Sequence, residues 1–240
     1  MGKIKVTKRK LKKENKTPSH SESAAKLLPA KISGIQLQKK NKNRFSLFVE
    51  DQFLIGVSDS VLTKHHLSKG VEITPFLLDQ IIKDEENWAA REYMFRLLGR
   101  RIHSKQELKT KALKKGFSAD YLDDIILELE NKDYVNDLEF AHKYAADKFK
   151  FNNWGPYKIK AYLFKKGIHK ATIEQALNSV FAPDKVESTL RKLVLKKKSR
   201  FLRTAEEKRS KKLFDFLMRK GYDSDSILRQ LDKLLELIKK

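Results

Sequence analysis

The chain has 240 residues, 35% charged and 40% hydrophobic, with 53 Lys and Arg against 31 Asp and Glu and a formal charge of +22. An excess this large exceeds what solubility needs and implies an anionic partner: nucleic acid, an anionic membrane surface or an acidic protein face. The lack of cysteine excludes a disulfide scaffold, thiolate zinc sites and iron–sulfur clusters, while sparse Gly and Pro favour a helix-rich protein over a sandwich or barrel.

Residues 1–30 show no sustained apolar period and read as a disordered basic arm, with ten Lys/Arg against two acids over 1–31. Such an arm either tethers to phosphate or serves as a solvated tail. It lacks the apolar stretch of a signal peptide, and no later apolar run is long enough to span a bilayer. A cytoplasmic protein with no membrane partner is therefore expected. Residues 31–73 change character. Ile32, Ile35 and Leu37, then Phe45–Val49, then Phe53–Val57 read as two or three short strands with hairpin connections, followed by a short helix from Ser58 to His66. This β-rich unit is a barrel fragment or a cover for the first long helix.

From Thr74-Pro75 onward the apolar spacing is helical, with Thr74 as a cap and Pro75 in the first turn. A repeat aligns on Gly116, Gly167 and Gly221. Each follows a basic pair (Lys114-Lys115, Lys165-Lys166, Arg219-Lys220) and precedes Phe117, Ile168 or Tyr222. Ala112-Leu113, Leu163-Phe164 and Leu217-Met218 lie four and three residues upstream. Each helix–glycine–helix pair is preceded by a further helix, roughly Asn87–Leu98, Asp137–Lys150 and Pro183–Lys198. Ser104 and Glu107 have capping-box spacing. The predicted fold is mainly α: three tandem three-helix, helix-turn-helix-like repeats (74–133, 134–182, 183–240) in an elongated array after a small β-rich unit.

Each basic pair before a glycine suits a helix C-terminus, where cations face the negative end of the dipole. The three corners can equally line up to contact phosphates. The segment Arg191-Lys192 to Arg203, with Lys196, Lys197, Lys198 and Arg200, has no acid between Glu187 and Glu206, which favours phosphate or acidic-partner contact. Trp154-Gly155-Pro156-Tyr157, flanked by lysines, is first a loop anchor packed on the core and second a base-stacking surface. The acidic stretch 118–139 carries Asp120, Asp123, Asp124, Glu128, Glu130, Asp133, Asp137 and Glu139. It reads first as a solvated helix face, then as a docking patch, and last as a metal-dependent nuclease site. There is no phosphate-binding glycine loop, nucleophile elbow or metal-spaced histidine set, so no catalytic residue, metal or cofactor is expected and the chain is read as a non-enzyme.

Leu98-Gly-Arg-Arg-Ile-His-Ser-Lys-Gln-Glu-Leu108, Tyr134-Val-Asn-Asp-Leu-Glu-Phe-Ala141 and Gly155-Pro-Tyr-Lys-Ile-Lys-Ala-Tyr-Leu-Phe-Lys-Lys-Gly-Ile168 together resemble the RecX family of bacterial recombinase regulators. The likeness covers roughly residues 30–240. His103 stands where the family usually has Arg, and the third unit is unusually basic. The resemblance implies a monomeric, non-enzymatic modulator in DNA recombination, repair and the SOS response. It would lie in the groove of the RecA filament on single- or double-stranded DNA, hinder extension and lower ATP hydrolysis and strand exchange. Charge and repeat position then nominate Arg100, Arg101, Lys114, Lys115, Lys165, Lys166, Lys196, Lys197, Lys198, Arg200 and Arg203 as contacts with the filament or with nucleic acid. The other reading is an autonomous nucleic-acid-binding protein using its helix-turn-helix-like pairs.

Overall fold

The computed structural model describes residues 25–39 and 41–239. The arm expected over 1–30 lies, up to residue 24, outside the described residues. The chain divides into two compact units, Met1–Glu92 and Tyr93–Lys240.

The first unit holds an antiparallel sheet of order β3-β2-β1-β4, made of β1 (Ala30–Gln38), β2 (Asn41–Val49), β3 (Gln52–Ser58) and the two-residue β4 (Glu72–Ile73). β4 is too short to leave a period-two signal in the sequence. Glu50 and Asp51 both take positive φ, 45° and 61°, as a two-residue hairpin turn between β2 and β3 requires. α1 (Asp59–Lys64) begins where Ser58 accepts from the Val61 N–H at 3.2 Å. Thr74 caps α2 (Pro75–Leu98), its hydroxyl accepting from Leu77 N–H at 3.1 Å. Ile32, Leu47, Leu54, Ile55 and Val57 of the sheet share a core with Leu78 and Ile81 of α2. The sheet is thus an open cover over the start of α2 rather than part of a barrel. Buried Glu85 of α2 fastens it, accepting from Ser58 N–H at 2.7 Å and pairing with Arg44 at 2.5 Å.

The second unit contains the repeats. The first joins the end of α2 to α3 (Lys105–Lys115), a short 3-10 turn at Ala119–Tyr121, and α4 (Leu122–Asn131). The second is α5 (Asp137–Asn152), α6 (Pro156–Lys165) and α7 (Lys170–Val180). The third is α8 (Pro183–Lys196), α9 (Lys198–Leu202), α10 (Glu206–Lys220), α11 (Ser224–Leu228) and α12 (Leu231–Lys239). The helix read as Pro183–Lys198 therefore ends two residues early, at Lys196, where three successive lysines meet and Phe201 turns inward to the core. The last helix is split in two, so that Leu234 and Ile238 of α12 reach the core shared with Leu190 and Val194 of α8.

Each middle helix ends as read from the sequence. Gly116, Gly167 and Gly221 have φ of 101°, 77° and 92°, a region that costs other residues about 1–2 kcal/mol. The next N–H in each case reaches back five residues: Phe117 to Ala112, Ile168 to Leu163 and Tyr222 to Leu217. Ser104 caps α3 by accepting from Glu107 N–H at 3.1 Å. The reciprocal half of that capping box does not form, because both Glu107 carboxylate oxygens are taken by Arg101 and Lys166.

Candidate nucleic-acid interface

The basic corners lie where one repeat meets the next. The Ser104 hydroxyl, at the start of α3, donates to the Lys166 carbonyl at 2.8 Å. Its counterpart Gly155, at the start of α6, donates its N–H to the Lys220 carbonyl at 2.8 Å. In both junctions the positive end of one middle helix meets the negative end of the following one, and a carbonyl orphaned by helix termination gains a donor. The approach is close. A Cβ on Gly155 would lie 2.3 Å from the Gly221 carbonyl oxygen, and one on Gly167 would lie 2.4 Å from Cβ of Gln106. Gly116 has no preceding repeat, and a Cβ there would meet nothing within 4 Å. Beside helix capping and phosphate contact, these corners therefore have a third use, joining repeats, which no local sequence pattern reveals.

The two junctions differ in charge. In the first, Glu107 is held between Lys166 and Arg101, whose Nη1 lies 2.9 Å away. Burial pushes the Glu107 carboxyl up, but hydrogen bonds from Arg101 and Lys166 outweigh it and hold the group below its usual value. In the second, the residue at the Glu107 position is Lys158, and it faces Lys220, the counterpart of Lys166. Lys220 donates to the Asn152 carbonyl at 3.1 Å. Burial lowers its ammonium pKa, and the neighbouring Lys158, Lys197 and Lys196 lower it further. The carboxylate that balances the first junction is thus absent from the second, and three helices bring lysines together there.

That cluster adjoins a shallow depression of about 470 Å3, lined by Lys196, Lys197, Ser199, Arg200, Arg203 and Lys212. None of its lining residues is acidic. It gathers the end of α8, α9 and the residue after it, and one turn of α10. Lys212 belongs to a separate helix and stands apart from this segment in the sequence; folding returns it to the loop just after α9, where it donates to Thr204 Oγ1 at 2.8 Å. The signal was present in the repeat alignment, where Lys212 occupies the position of Lys158. Lys198 is half-buried and is not among the lining residues.

The remaining nominated residues fall into two groups. Arg100, Lys114, Lys115 and Lys165 are exposed, and none pairs with a carboxylate among the described residues. Arg101 and Lys166 are committed to Glu107. Trp154 is half-buried against the second repeat's core, with Lys158 Nζ 4.6 Å and Lys148 Nζ 5.6 Å from its ring centre and Tyr162 4.8 Å away. It anchors the loop and carries lysines at the second junction. Four acids of the acidic stretch form ion pairs: Asp123 with Lys109, Glu130 with Lys105, Glu128 with Lys132 and Glu139 with Lys143. Among the described residues no group of three or more His, Cys, Asp or Glu has a metal-holding arrangement, and no helix is long and apolar enough to cross a membrane.

Comparison with known proteins matches this architecture part by part. Residues 30–74 match the regulatory protein RecX N-terminal domain, and residues 90–129, 136–177 and 186–231 match the first, second and third RecX three-helix domains. Regulatory protein RecX of Clostridioides difficile is 30% identical over 204 residues, covering 85% of this chain and 95% of that protein. The protein of the same name from Listeria monocytogenes serotype 4a is 28% identical over 195 residues, covering 81% and 72%. A crystal structure of regulatory protein RecX superposes with a TM-score of 0.74 at 26% identity, over 85% of this chain and 99% of the other.

Proposed function

The chain belongs to the RecX family of regulatory proteins, and from that premise we propose that it binds the RecA filament on DNA and restrains it, lowering ATP hydrolysis, strand exchange and extension. It performs no chemistry of its own. It holds the filament through its repeats and reaches phosphate through the third.

The observation that carries the phosphate contact is the second junction. Lys158, Lys196, Lys197 and Lys220 converge without the carboxylate that balances the first junction. Like charges held together by folding repel one another, and an anion entering between them relieves that cost. The adjoining depression extends the cationic surface for a strand to follow. The test is a comparison of affinities at one salt concentration. The expected result is tighter binding to a RecA–single-strand filament than to the same oligonucleotide bare. Equal affinity for the two contradicts the filament reading.

The same cluster favours a second reading, an autonomous nucleic-acid binder. That protein would grip bare DNA with a steep salt dependence, losing roughly 10³–10⁵ in affinity between 50 and 200 mM salt for 6–10 phosphate contacts. A shallow slope on bare DNA removes it.

A further inference from the structure

The residue three before each cap glycine is a large apolar side chain left in solvent. Leu113 is 43% exposed, Phe164 45% and Met218 43%. The residue just before each, Ala112, Leu163 or Leu217, is completely buried. The pairs look alike in the sequence, but the helix turns one member inward and the other outward in all three repeats. Scattered exposed apolar residues need no explanation. The same register in three repeats, maintained across 51 and 54 residues, does. Each apolar residue is followed by an exposed cation, Lys114, Lys165 or Arg219, that pairs with no carboxylate among the described residues. Both junctions set the start of one middle helix against the carbonyl just before the next repeat's cap glycine, through the Ser104 hydroxyl in one and the Gly155 N–H in the other.

We infer that Leu113, Phe164 and Met218, each with its following cation, form a three-rung ladder that docks onto a protein polymer whose subunits offer acidic-rimmed apolar pockets at a repeating step. An apolar anchor gains by leaving water for a protein pocket, and the unpaired cation beside it selects an acidic rim. Nucleic acid fits poorly, because leucine and methionine offer no flat ring for a base and phosphate has no use for an apolar group. Three pairs at the same repeat position suit a partner that itself repeats. This inference rests on the filament reading and divides the labour within it: the ladder touches protein, while the second junction and the depression beside it touch phosphate.

The full chain carrying Leu113→Gln, Phe164→Gln and Met218→Gln tests it. All three positions are exposed and glutamine is a good helix former, so far-UV circular dichroism should be unchanged. Binding is measured to a RecA filament on a labelled single strand, held by a slowly hydrolysed ATP analogue, and to the same strand bare. The expected result is weaker filament binding by ~10-fold or more, as for loss of interface anchors, with bare-strand affinity within about twofold of the unaltered chain. Unchanged filament affinity overturns the ladder. An equal loss on both targets also overturns it and makes the face a nucleic-acid contact. If the unaltered chain shows no preference for the filament, the filament reading itself fails. Should the triple variant lose helicity, Lys114→Glu, Lys165→Glu and Arg219→Glu together replace it. A larger loss on the filament than on the bare strand is then expected, and equal losses overturn the inference.

Discussion

At the scale of single residues, Glu107 and Lys158 occupy the same repeat position with opposite charge, which separates the chemistry of the two junctions. Glu107 has its carboxyl held below the usual value by Arg101 and Lys166. A carboxyl with a depressed folded-state pKa contributes stability that is present above its unfolded value, near 4.5, and is lost as pH falls through the folded value. Buried His103 acts in the same direction. Burial lowers its pKa below 6.5, so its contribution is present above pH 6.5 and is lost as pH falls toward the lowered value. Thermal melts should therefore show the junction weakening from just below pH 6.5 downward. Glu107→Gln should cost ~1–3 kcal/mol at pH 7 and flatten the Tm profile below pH 4.5. A Tm difference from the unaltered chain that is the same at pH 7 and pH 3 contradicts the assignment. Lys158→Glu should do the reverse of a usual surface mutation. It installs the missing carboxylate opposite Lys220, raising stability by ~0.5–1 kcal/mol while weakening binding to single-stranded DNA. Stability and DNA affinity falling together would contradict the view that the second junction is held short of an anion.

At the scale of elements, the cap glycines distinguish a role in turning the chain from a role in joining repeats. Gly116→Ala meets open space and should cost only the left-handed penalty, about 1–2 kcal/mol. Gly167→Ala and Gly221→Ala bear that penalty and also press on Gln106 or Lys158 across a junction, which adds ~1–3 kcal/mol for overpacking. Denaturant melts of the three variants should rank in that order, and equal losses would mean the glycines only end helices. The helices, their glycine stops and the β-rich start were legible in the sequence because they rest on local signals: apolar period, Thr74 and Ser104 as caps, and glycine after a basic pair. β4 and the division of the third repeat were not. β4 is two residues held by pairing with Ala30 and Lys31, and α9 exists because tertiary packing draws Phe201 inward against the repulsion of Lys196, Lys197 and Lys198. The site was legible as charge and not as geometry. Lys166 and Lys165 are neighbours in the chain, yet one is committed to Glu107 and the other faces solvent, a difference made by a partner about 60 residues away in sequence.

At the scale of the whole molecule, the net charge of +22 is distributed by purpose rather than spread evenly. Ion pairs neutralise four acids of the acidic stretch 118–139, and the third repeat concentrates cations around a depression with no acid in its lining. Lys196→Glu, Lys197→Glu and Lys198→Glu together should leave helicity intact and weaken binding to single-stranded DNA. The salt slope should also become shallower, by about 0.7 for each phosphate that the variant no longer neutralises. An unchanged slope removes this segment from the interface. The central claim is regulation of the filament rather than occupancy of DNA, and the two differ in stoichiometry. The most direct test is the single-strand-dependent ATPase of RecA from the same cell, with the chain added well below the RecA concentration. A fall in rate at such ratios is the predicted result, because one bound molecule restrains many protomers whereas competition for DNA needs far more protein. An unchanged rate, with binding to bare DNA retained, contradicts the account and leaves an autonomous nucleic-acid binder.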